Sequence, residues 1–97
     1  MTAPVLAPAG LLDRPLELHP QVAVRPESFG ALLYHFGTRR LSFLKDRRLL
    51  AVVEHLAGAP TARHACALAG VDDAALPAFE KALAQLARTD MLRERTA

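Results

Sequence analysis

Residues Phe29 to Leu44, FGALLYHFGTRRLSFL, read as two apolar strands joined by a tight turn at Phe36, Gly37 and Thr38. Period-two alternation presents Phe29, Ala31, Leu33 and His35 to one face of the first strand, and Gly30, Leu32, Tyr34 and Phe36 to the other. Both faces are largely apolar. The second strand, Arg39 to Leu44, puts Leu41 and Phe43 on one face and Arg40 and Ser42 on the other, the pattern of a strand with one side buried. Gly37 supplies the permissive backbone that the reversal needs. A hairpin alone is marginal in water, so this one requires a third strand or a helical layer.

The flanking sequence provides both. Upstream, LHPQVAVRPE (Leu18 to Glu27) places Val22 and Val24 on one side of an extended segment that can run antiparallel to the Phe29 strand, with Glu27 and Ser28 turning the chain. Consecutive strands usually pair, which predicts a meander with the Arg39 strand at its edge. Downstream, Asp46 caps a helix to about Ala57 with Leu49, Val53 and Leu56 on one stripe, and Gly58, Ala59 and Pro60 stop it. Thr61 caps a short second helix ending near Gly70. Asp72 caps a third, from Asp73 to about Arg88, with Leu76, Phe79, Leu83 and Leu86 at helical spacing and Pro77 in its first turns. The expected fold is α+β, a winged-helix-like domain with a three-stranded antiparallel sheet followed by three helices. Its expected extent is residues 18–92, after a flexible arm (1–17) rich in proline and before a tail (93–97), with Thr89 to Ala97 forming a short strand or a frayed end.

Composition limits the functions available. At 97 residues, 52% hydrophobic and 23% charged, the chain forms one globular domain, and the lack of Trp implies an aliphatic core. A net charge of +2 does not by itself argue for nucleic acid. One cysteine, Cys66, excludes an internal disulfide and favours a reducing compartment. The run Met1 to Leu12 lacks a basic start and is broken by Pro4, Pro8 and Gly10, unlike a signal peptide, and no apolar run has the length of a membrane span. A soluble, cytoplasmic protein without a membrane partner is expected.

Catalytic patterns are missing: no phosphate loop follows a strand, no Gly-x-Ser-x-Gly elbow occurs, and no HExxH pair is present. His64 and Cys66 are about 200° apart around a helix and cannot share an ion easily. Cys66 reads as core, and His35 as a buried, hydrogen-bonded residue.

The run RRLSFLKDRR, Arg39 to Arg48, holds five basic residues and one acidic one, a local charge of +4 on a nearly neutral chain. One reading is protective, since charges beside an exposed apolar edge discourage sheet-to-sheet aggregation. The other is a docking site, in which an extended peptide adds as a strand along Arg40 to Leu44 and Arg39, Arg40 and Lys45 favour acidic sequences. Proline at Ser42 would then remove an edge donor and disrupt docking. On the third helix Ala75, Ala78 and Ala82 line up beside Phe79. They are either simply good helix formers or a surface that lets another backbone approach. With the edge, that helix could form a groove with an apolar floor and a basic rim. DNA binding is the rival suggested by the helix-turn-helix outline. Asp72, Asp73 and Glu80 against Lys81 and Arg88 leave the third helix at −1, the wrong sign to meet phosphate.

The run HPQVAVRPESFGALLYHFGTRRLSFLK, His19 to Lys45, closely resembles the mycofactocin biosynthesis chaperones of the PqqD-like family of RiPP recognition elements, and the likeness extends to about Leu92. The resemblance implies a protein that is not an enzyme and carries no cofactor. It would bind the leader of a ribosomally made precursor peptide and present it to a radical S-adenosylmethionine maturation enzyme that carries the iron–sulfur chemistry. It further implies that the leader adds to the third strand and lies against the third helix, here Arg39, Arg40, Leu41, Ser42, Phe43, Leu44 and Lys45 with Ala75, Ala78, Phe79 and Ala82. Edge-to-edge homodimers are a further expectation when such an edge is empty.

Overall fold

The computed structural model describes residues 10–95. In chain order the strands are β1 (Leu16–Leu18), β2 (Val22–Glu27), β3 (Gly30–His35), β4 (Leu41–Leu44) and, last in the chain, β5 (Leu92–Glu94). Between β4 and β5 lie α1 (Arg47–His55), extended by a 3-10 turn at Leu56–Gly58, then α2 (Ala62–Leu68) and α3 (Leu76–Arg88). Strands β2, β3 and β4 form the expected antiparallel meander, with β4 at one edge, and three helices follow it. A second sheet, β1 with β5, was not anticipated.

That second sheet takes in the end of the expected arm and gives the tail its strand form, one of the two forms expected for it. Leu12 and Leu16 are buried, and the carbonyls of Leu12 and Arg14 accept the amides of Arg63 and Ala62 at 2.7 and 2.9 Å. Those amides open α2, where no intrahelical carbonyl can reach them. At the other end Leu92 pairs with Leu18, and the Arg95 guanidinium donates to the carbonyls of Leu56 (2.7 Å), Ala57 (3.0 Å) and Ala59 (2.8 Å), closing the end of α1. The rest of the arm (1–9) and tail (96–97) lies outside the described residues.

The register of the hairpin also differs from expectation. Ala31 and Leu33 are fully buried, and they face Leu44 and Ser42 across the ladder. Leu41 and Phe43 therefore stand on the outer face, 54% and 58% exposed, rather than in the core. Period two leaves no compromise: once Leu33 points inward, its partner's neighbours point outward. Phe29 departs from the expected alternation too, because the β2–β3 turn is Ser28–Phe29, with Glu27 paired to Gly30. Its ring lies 6.3 Å from that of Phe43.

Two glycines and one histidine hold this arrangement. Gly30 has φ +148, and a Cβ there would meet the Leu44 carbonyl oxygen at 1.9 Å. The β3–β4 connection is longer than expected, with Arg39 rather than Gly37 in the left-handed region at φ 64. Gly37 is needed for space instead, since a Cβ would fall 2.5 Å from Gln21 Oε1 and 2.9 Å from the His35 ring. His35, 2% exposed, accepts the Gly37 and Thr38 amides on Nδ1 at 3.0 and 3.1 Å. Its proton therefore sits on Nε2, which has no partner among the described residues.

Helix α3 starts at Leu76, three residues later than expected. Asp72 Oδ1 takes the Ala75 amide at 3.0 Å in a turn before the helix, so Pro77 falls in the first turn, where its missing amide costs nothing. Phe79, Leu83 and Leu86 are buried as their spacing requires. Gly30→Ala is expected to destabilise the domain by about 2 kcal/mol or more. Gly58→Ala, which meets nothing within 4 Å, should be neutral or slightly stabilising. Urea unfolding followed by circular dichroism distinguishes the two.

Candidate functional site

Among the described residues strand β4 pairs with β3 alone, so its other side is an open edge. Hydrogen bonding shows which groups lie on it. The His35 amide donates to the Arg40 carbonyl at 2.9 Å, which makes Arg40, and by alternation Ser42 and Leu44, the residues bonded to β3. The main-chain amides and carbonyls of Leu41 and Phe43 consequently face outward, unused by the sheet. This corrects the proline expectation, because the Ser42 amide is already committed to β3. An edge probe belongs at Leu41 or Phe43.

On the inner side of this edge, Asp46, Leu49, Ala78, Phe79 and Ala82 line a cavity of about 150 Å3. Phe79 is buried and forms its floor, while Ala78 and Ala82 keep the wall low. The Asp46 carboxylate is already engaged, accepting the Arg48 amide at 2.7 Å as the cap of α1 and lying 3.7 Å from the Arg48 guanidinium. That guanidinium also stacks over Phe79, 5.1 Å from the ring centroid. Of the remaining expected residues, Leu44 is buried with its main chain committed to β3, so neither its side chain nor its backbone is open to a partner, and Ala75 precedes α3 outside the cavity lining. Asp46, Leu49 and Arg48 were missed as site residues because the first two read as a helix cap and a core position, which they also are.

The basic cluster divides by role. Arg47 donates to the Ser28 carbonyl at 3.2 and 3.1 Å and so ties α1 to the β2–β3 turn. Arg39, Arg40 and Lys45 form no ion pair among the described residues. They sit at the two ends of β4, so the open edge runs between uncompensated positive charges.

No group of three or more metal-ligating side chains forms among the described residues, and none of their helices is long and apolar enough to cross a membrane. Cys66 is fully buried, and burial pushes its thiol pKa up, opposed weakly by Arg63.

Fold and edge together define a small winged-helix-like α+β domain whose meander ends in the open edge of β4. Comparison with known proteins identifies its family: the profile of the Peptide chaperone MftB family matches residues 15–93. The chain is 62% identical over 80 residues to a peptide chaperone MftB of Mycobacterium tuberculosis, covering 82% of this chain and 73% of the relative. It is 57% identical over 94 residues to that of Mycobacterium ulcerans, covering 93% and 86%. A third, from Mycolicibacterium smegmatis, is 57% identical over 75 residues, covering 77% and 74%. No solved structure matches. The chain belongs to the Peptide chaperone MftB family.

Because the Cys66 thiol is enclosed and its ionisation is suppressed, dithiodipyridine should react with it in the native protein only through unfolding. The reaction should be slow in buffer and fast in urea. Fast labelling of the folded protein would show that α2 opens locally.

Proposed function

We propose that this member of the family is a non-catalytic chaperone that takes up the leader of a ribosomally made precursor peptide as an added strand on β4. The leader lies against α3 and is presented to a radical S-adenosylmethionine maturation enzyme in mycofactocin biosynthesis. The observation that carries the reading is the unpaired main chain of Leu41 and Phe43 on an edge strand that leads, two residues on at Asp46, into the cavity floored by Phe79. A strand added there would satisfy the open amides and carbonyls, and the cavity would accept its inward side chains. Arg39, Arg40 and Lys45, uncompensated on the rim, favour an acidic peptide. Iron–sulfur and S-adenosylmethionine chemistry belongs to the enzyme in this reading. The free Cys66 accords with a cytoplasmic setting. An empty β4 also invites a second copy, and such a dimer would compete with the peptide for the same edge.

The deciding experiment is an amide NMR titration with a synthetic peptide spanning the precursor leader, with duplex DNA as control. Saturable shifts concentrated on Arg39 to Lys45 and on α3, and absent with DNA, are the expected result. Shifts with DNA alone would favour the helix-turn-helix rival.

Leu41→Pro should abolish binding in a folded protein, because it removes one outward amide at the start of an edge strand, where proline is tolerated. Leu41→Ala, which keeps the amide, should bind at least partly. Ser42→Pro should instead disturb folding. The pair Arg39→Glu with Arg40→Glu should weaken binding, and raising the salt concentration should weaken the wild-type complex, both read by fluorescence anisotropy. Affinity unchanged in both tests would eliminate the electrostatic contribution.

A further inference from the structure

On the outer face of the sheet, away from the α3 cavity, Phe29, Phe43 and Lys45 border an open cavity of about 400 Å3. Phe29 and Phe43 are 45% and 58% exposed, with rings 6.3 Å apart and tilted by 51°. Such exposure does nothing for the core. Lys45 has no acidic partner among the described residues. The cavity therefore offers two aromatic walls and one uncompensated cation, contiguous with the open edge of β4.

We propose that this cavity is a second side-chain subsite for the same docked peptide, reading the residues that the α3 cavity cannot reach. The inference rests on strand addition to β4. Side chains of an added strand alternate between the two faces. Peptide residues opposite Ser42 and Leu44 point toward α3, and those opposite Phe43 and Lys45 point to the outer face. Successive peptide residues at the centre of the groove are thus read on opposite sides. The inner cavity, about 150 Å3, suits a branched aliphatic side chain, while the outer one has room for an aromatic. Residues two apart on a strand lie about 7 Å from each other, so a peptide side chain over Phe43 has its same-face neighbour at Lys45. The chemistry recognised is an apolar residue over Phe43, an adjacent apolar residue in the α3 cavity, and a carboxylate two positions from the first, on Lys45.

The test uses the full chain and a fluorescein-labelled synthetic leader peptide, with affinity read by anisotropy and folding checked by circular dichroism. Phe43→Thr, which keeps strand preference, should weaken binding about fivefold or more, and Lys45→Gln about threefold. Replacing the peptide's Asp and Glu residues one at a time by amides should reveal one position whose loss is felt by the wild type and not by Lys45→Gln. Alanine scanning of the peptide should show two consecutive sensitive apolar positions. Suppose instead that Phe43→Thr and Lys45→Gln bind as the wild type does while Leu41→Pro and Ala78→Trp abolish binding. The second subsite would then be wrong, with strand addition intact. If all four bind normally, strand addition itself fails. If Phe43→Thr changes only the oligomeric state in light scattering, the cavity is an interface between copies and the proposal is overturned.

Discussion

Leu33 on β3 is fully buried and faces Ser42 across the ladder, and most of what is distinctive about the domain depends on that pairing. It puts the Ser42 and Leu44 main chain into the sheet and leaves that of Leu41 and Phe43 facing outward. It also turns the Leu41 and Phe43 side chains to solvent. A shift of one residue would invert both consequences and bury two large apolar side chains that are instead exposed. The register is held from several directions at once: Gly30 admits the Leu44 carbonyl, His35 gathers the two amides of the turn, and Arg47 fastens α1 to the β2–β3 turn.

Around the open edge, charges used for folding are separated from charges left free. Arg47, Arg48 and Asp46 are occupied with one another, with backbone groups and with the Phe79 ring. Arg39, Arg40 and Lys45 are not. Free cations at both ends of β4 discourage an unselective sheet from adding there and favour a strand of opposite sign. The protective and docking readings of the basic run are therefore compatible.

The chain ends contribute to rigidity in a way that bears on the edge. Strands β1 and β5 close a second sheet through Leu16, Leu18 and Leu92, joined by a Glu17–Arg93 ion pair at 2.7 Å. Residues near each end also provide the carbonyls and guanidinium that satisfy the start of α2 and the end of α1. Helical backbone groups that would otherwise be orphaned are met within the domain.

Much of this was legible in the sequence, because local physics determines it. Period-two and helical spacings placed three strands and three helices, Asp46 and Thr61 capped α1 and α2 as their side chains suggest, and the resemblance of His19 to Lys45 to mycofactocin chaperones agreed with the family. The short polar and proline-rich ends carried no such signal, so pairing of Leu16–Leu18 with Leu92–Glu94, more than 70 residues away, was invisible. Register was invisible too, since Arg39 to Leu44 contains apolar residues of both parities and only the burial of Ala31 and Leu33 chooses between them. That choice decided which amides are open, which expected residues line a cavity, and why Phe29, Phe43 and Lys45 meet on one face. Sequence by itself determines where strands and helices form. The tertiary structure decides which side of the edge strand is spent on folding, because that depends on what its neighbour must bury.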